Sequence, residues 1–143
     1  MKFYVLDPSV ALKWALPPAN EPFSQEAVEL LRQYVKGTID FLVPDIFWAE
    51  IGNVLWKGTR QRRWAPAFAE QVASEMQARA FRTVPLHGLL PAALAIALGY
   101  DRSVYDCLYV ALAIESGSQM LTADERLANS LAVHLPVKWL GAL

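Results

Sequence analysis

Four acids stand where solubility alone does not explain them. Asp7 closes the apolar run from Phe3 to Leu6 and leads into Pro8-Ser9. Glu50 sits between Trp48-Ala49 and Ile51-Gly52-Asn53. Asp106 is the only charged residue between Val104 and Ile114, and Asp124 follows Met120-Leu-Thr-Ala123. Each has a simpler use. Asp7 can cap a helix that starts at Pro8, and Glu50 can form a surface pair with Lys57. Ser103 with Asp106, and Thr122 with Glu125, fit capping boxes, the second of which leaves Asp124 free.

Taken together, the four acids say more. Two carboxylates about 5 Å apart repel by roughly 3 kcal/mol at an effective dielectric near 20. Four that converge would strain a marginally stable domain unless some protonate or a cation intervenes. Oxygen ligands without His or Cys companions favour Mg²⁺ or Mn²⁺ over zinc. His87 and His134 lack ligand spacing to another His or Cys, and the lone Cys107 reads as a small buried hydrophobe.

The elements that must position these acids follow from the apolar pattern. Short strands are predicted over 2–6, 41–43, 82–86, 119–122 and 137–140. Helices are predicted from Pro8 to Leu16, stopping at Pro17-Pro18, and over 24–36, 45–57, 66–80, 89–98, 103–116 and 124–131. Short apolar strands separated by helices imply a parallel sheet covered on both faces. Ligands of such sheets sit outside the carboxyl ends of the strands. Asp7 and Asp124 fall there, Asp106 opens its helix, and Glu50 borders the buried stripe of its own.

Composition bounds the rest. The 143 residues are 55% hydrophobic and 19% charged, with a net charge of −1 and no possible disulfide. That excludes disorder and fits one domain with a real core. The run from Leu89 to Leu98 contains Pro91 and is too short to span a bilayer. The stretch before Asp7 is too short for a signal peptide, so the cytoplasm is the expected compartment. The acid–base balance at first argues against a nucleic-acid enzyme. With the four acids set aside, however, 10 Asp plus Glu face 13 Lys plus Arg. The acidity is concentrated where a metal would neutralise it.

Val5-Leu-Asp7-Pro-Ser9, Ala49-Glu-Ile-Gly-Asn53-Val-Leu55, Tyr105-Asp-Cys-Leu-Tyr-Val-Ala-Leu-Ala113 and Leu121-Thr-Ala-Asp124 resemble the four motifs of the PIN-domain ribonucleases. Their order and separations match across nearly the whole chain. Within that family the size is similar to that of the VapC-like toxins of toxin–antitoxin pairs. The resemblance implies an α/β/α fold with a five-stranded parallel sheet in the order 3-2-1-4-5. It implies that Asp7, Glu50, Asp106 and Asp124 form a catalytic quartet holding Mg²⁺ or Mn²⁺. Asp7 and Asp106 would be the closest ligands, Asp124 would bind a second metal or orient water, and Glu50 would ligate directly or through water. Ser9, Asn53 and Thr122 match the supporting polar positions. The activity implied is metal-assisted hydrolysis of RNA phosphodiester bonds, with a cognate VapB-like antitoxin and a homodimer as protein partners.

Lys57, Arg60, Arg62 and Arg63 cluster just beyond Glu50 and suit a phosphate-binding rim, to which Lys13, Arg102 and Arg126 could add. A solvated helix end explains the same cluster. Trp48 and Trp56 fall about 80° apart on one helix, so both cannot lie in its buried stripe. The competing functions are a catalytically silent partner-binding module and a haloacid-dehalogenase-like phosphatase. The first would lack a quartet acid, and none is missing. The second would want Asp where the chain has Ser9.

Overall fold

The computed structural model describes residues 1–17 and 22–143, so Pro18 of the predicted helix stop lies outside the described residues. Five strands, β1 (Lys2–Leu6), β2 (Ile39–Pro44), β3 (Arg82–Val84), β4 (Gln119–Thr122) and β5 (Val137–Trp139), form one sheet in the order β3-β2-β1-β4-β5. Every pairing is parallel, with Val5 opposite Leu42 on one side and Met120 on the other. Successive strand residues face opposite sides. Val5 and Leu6 are both 0% exposed, so both faces of the sheet are covered. The strand order and the two covered faces are as predicted.

The helices are α1 (Pro8–Ala11), α2 (Ser24–Lys36), α3 (Ile46–Arg60), α4 (Pro66–Ala78), α5 (Leu90–Tyr100), α6 (Val104–Ser116) and α7 (Glu125–Leu131). α6 is buried continuously from Cys107 to Ala113, which explains its lack of a polar face. No helix among the described residues is long and apolar enough to cross a membrane.

Several boundaries differ from expectation for local reasons. The first helix is short and tightens into a 3₁₀ turn over Leu12–Trp14, where the Trp14 indole donates to the Ala27 carbonyl at 2.6 Å. β2 begins two residues early because Asp40 is accommodated at the sheet, accepting from Arg82 Nε at 2.8 Å. β3 stops before Pro85, which has no N–H for a ladder, and a 3₁₀ turn from Leu86 delivers the chain to α5. α4 stops at Ala78, just before Ala80 takes a left-handed φ of 52°. α3 runs a turn past Lys57, so Lys57 and Arg60 belong to its last turn.

That last turn is held by an indole. The Trp64 Nε1 donates to the Leu55 carbonyl at 3.0 Å, and the ring lies directly over Gly58. A Cβ on Gly58 would stand 1.9 Å from Cζ2 of Trp64. Gly58→Ala is therefore expected to displace the ring and cost about 1–3 kcal/mol, read as a lower midpoint in denaturant melts.

Candidate active site at the β1–β4 crevice

The sheet order reverses at β1, whose neighbours β2 and β4 lead the chain in opposite directions. Such a switch point opens a crevice at the carboxyl ends of the strands. Asp7 stands at its centre, with its backbone N–H donating to the Leu121 carbonyl of β4 at 3.1 Å. Asp7 precedes α1, but its side chain does not cap that helix. Its Oδ2 instead accepts hydroxyl hydrogens from Ser9 and from Thr122, the latter at 3.1 Å. Thr122, 0% exposed, in turn accepts the Asp124 N–H at 3.1 Å, and Ser9 accepts the Ala123 N–H at 3.0 Å. One carboxylate oxygen thus ties the ends of two strands together and leaves Oδ1 for other work. Ser9 and Thr122 are the two hydroxyls that hold this carboxylate.

Asp124 departs from expectation. Thr122 has committed its hydroxyl to Asp7 and to the Asp124 N–H, so it cannot cap α7 with Glu125. Asp124 is itself the cap, with Oδ1 accepting the Leu127 N–H at 3.1 Å. Asp124 is exposed, and the acids whose charges act on Asp7 are Glu50 and Asp106, not Asp124. The Ser103 cap of α6 is as predicted, accepting the Asp106 N–H at 3.2 Å.

Glu50 on α3 is half-buried, and its Oε1 accepts the Tyr109 hydroxyl at 2.7 Å. Burial pushes the Glu50 carboxyl up; the Tyr109 bond opposes that and the Asp106 charge adds to it. Burial also pushes Asp7 up from 3.8 to about 7, against its two hydroxyl donors and with help from the charges of Glu50 and Asp106. Asp7, Glu50 and Asp106 therefore feel one another across the crevice. Among the described residues, however, no three His, Cys, Asp or Glu side chains stand close enough to grip one metal ion. In kind the donors still suit a hard divalent cation. They are all oxygen, and Mg²⁺ usually takes one or two carboxylates and keeps water for the rest.

Reading the sequence alone misses Tyr109, although a signal is present. A phenol three residues past Asp106, on the same side of an otherwise apolar helix, needs a buried partner.

The basic residues divide. Asn53, Lys57 and Arg60 are exposed on α3, and the Arg60 guanidinium lies 5.3 Å from the Trp56 ring centre. Arg62 and Arg63 are exposed beyond the helix, with Arg63 over Trp64 at 5.0 Å, and Arg126 is exposed on α7. Lys13 is a correction: it is only 7% exposed and so is not part of a solvated rim. Arg102 is half-buried and lies 3.5 Å from Asp106, an ion pair within the crevice. Trp48 and Trp64 are partly buried while Trp56 is 54% exposed, which bears out the division of the tryptophans on α3. His87 and His134 are exposed, and Cys107 is a buried free thiol whose pKa burial raises.

Residues 4–130, a span that includes all four acids, match the family model described as PIN domain. The chain belongs to the PIN-domain family. The phosphatase alternative falls with that match. A curated relative of this PIN chain, Ribonuclease VapC3 of Pyrobaculum aerophilum, is 35% identical over 83 residues. The aligned stretch covers 56% of the chain and 63% of that relative, less than two thirds of its length. Three solved structures share the PIN fold. PAE2754 from Pyrobaculum aerophilum superposes with a TM-score of 0.67 at 20% identity, over 99% of this chain and 85% of that one. A toxin–antitoxin complex from Klebsiella pneumoniae gives 0.61 at 14% identity, over 94% and 95%. VapBC2 from Rickettsia felis, bound to a DNA fragment from its promoter, gives 0.65 at 11% identity, over 96% and 98%. At these identities the three concern the fold.

Proposed function

We propose that this PIN domain is a divalent-metal-dependent endoribonuclease and the toxin of a toxin–antitoxin pair. The observation that carries the reading is Asp7, fixed between β1 and β4 by Ser9 and Thr122 and facing the charges of Glu50 and Asp106. Asp7 and Asp106 would hold the first Mg²⁺ or Mn²⁺, with Glu50 ligating directly or through water and Asp124 serving a second metal or orienting water. When bound, the cation supplies the positive charge that activates water and neutralises a phosphate under attack.

The chain's own residues do the positioning. Ser9 and Thr122 hold Asp7 by one oxygen and leave the other to the crevice. Asp124 stays fixed by its capping bond to α7 with one oxygen free. Arg102, already beside Asp106, can shift to a phosphate oxygen once a cation takes its place.

RNA would run along α3. Lys57 lies two turns beyond Glu50, offset by only about 20° and about 10.5 Å away along the axis. Asn53 lies between them, and Arg60 extends the same exposed side. A Lys57→Ala/Arg60→Ala pair should weaken single-stranded RNA binding while preserving the fold. The slope of log affinity against log salt should fall by about 1.4, or about 0.7 for each phosphate no longer neutralised. Fluorescence anisotropy across a salt series measures that slope.

The named VapC relative and the toxin–antitoxin neighbours support the choice of activity and partner. Exposed Trp56 lines an apolar groove with Gly52 and Ala73 between α3 and α4, a face suited to an antitoxin segment. The exposed row Leu90, Leu94 and Leu98 on α5 suits a second copy of the chain. Such a protein would act in the cytoplasm. The test of the activity is metal-dependent cleavage of RNA by the wild-type chain and by its Asp7 and Asp106 variants.

A further inference from the structure

α3 and α6 approach the crevice from separate parts of the chain, and each brings an acid to it. The acids Glu50 and Asp106 repel, so the spacing between them needs a restraint. α6 supplies one. Tyr109 follows Asp106 by three residues, about 60° around the helix and about 4.5 Å along it. The ring is 1% exposed, and its hydroxyl reaches out of the core to Glu50 Oε1 at 2.7 Å across 59 residues of sequence.

We infer that Tyr109 is a positioning residue for the metal site, holding the Glu50 carboxylate by Oε1 so that only Oε2 is presented to the crevice. This rests on the metal reading given above. A buried phenol must place its hydrogen somewhere, and a carboxylate is the strongest acceptor it can find. The consequence is geometric: one helix carries both a ligand acid and the clamp that orients its counterpart on α3. Partners of this kind, outside the ligands themselves, set ligand orientation, and losing one typically weakens metal binding by about 10- to 100-fold.

The experiment uses the full chain as wild type, Tyr109→Phe, Glu50→Ala and the double variant. Each is titrated with Mn²⁺ by calorimetry and followed by thermal melting without metal. Tyr109→Phe keeps the ring that fills the core and loses only the hydroxyl. It should melt cooperatively and bind Mn²⁺ about 10- to 100-fold more weakly than wild type. In the Glu50→Ala background the same substitution should change the dissociation constant no further, because Tyr109 acts through Glu50. Wild-type affinity in Tyr109→Phe would overturn the inference and leave the metal reading standing. An equal loss with and without Glu50 would also overturn it, since the tyrosine would then act through the core. A wild-type chain that binds no Mn²⁺ would overturn the metal reading and this inference with it.

Discussion

Asp7→Asn is expected to remove RNA cleavage while making the metal-free protein more stable. The loss should be at least about 100-fold, the scale of deleting one preorganised electrostatic contact to a transition state. The gain in stability follows from the cost of ionising Asp7 in place. Its pKa rises from 3.8 to about 7, chiefly through burial. Between those values the folded protein holds a proton that the unfolded chain has released. Stability from this group is therefore fully present below about pH 4, declines as pH rises and is lost above about 7. Asn carries no such penalty, and its amide oxygen can accept from both Ser9 and Thr122. The melting temperatures of variant and wild type should be close at pH 4, diverge as pH approaches 7 and then run parallel. A difference that is constant with pH would show that Asp7 ionises freely in the folded state.

The second large effect is the response to metal. A cation competes with the proton on Asp7, so binding should strengthen as pH rises through 7. At a hundredfold excess over Kd, Mn²⁺ should stabilise the fold by about 2.7 kcal/mol, or roughly 8 °C in melting temperature for a chain of this size. With the Mn²⁺ concentration fixed at that pH 7.5 value, the shift should be large at pH 7.5, small at pH 5 and reduced at both in Asp7→Asn. Melts with and without Mn²⁺ at the two pH values measure it. An equal shift at pH 5 and 7.5 would place the metal away from Asp7.

Much of the fold is legible in the sequence because its signals are local. Apolar runs of strand length, Gly37 and Gly117 after helices, and Pro8 and Pro66 at helix starts each act within a few residues. Acids at the carboxyl edge of a parallel sheet follow from the same local pattern. What escapes depends on partners distant in sequence. Thr-Ala-Asp-Glu permits a cap from Thr122 or from Asp124, and the choice is made by Asp7, 115 residues away. Tyr109 is one more apolar residue of α6 until α3 brings Glu50 to its hydroxyl. Lys13 lies near a motif acid in sequence, yet packing takes it out of solvent. Asp40 hides the start of β2 because its partner, Arg82, is on a neighbouring strand.

The most direct test is cleavage of a single-stranded RNA by metal-stripped protein on adding back Mg²⁺ or Mn²⁺, with the new 5′ ends mapped. Wild type, Asp7→Asn and Asp106→Asn are compared at pH 7.5, each shown folded by its melt. Metal should restore discrete cuts to the wild type and leave both variants inactive. Cleavage that persists in chelator, or that proceeds equally in the two variants, would contradict a metal-dependent ribonuclease site at the β1–β4 crevice.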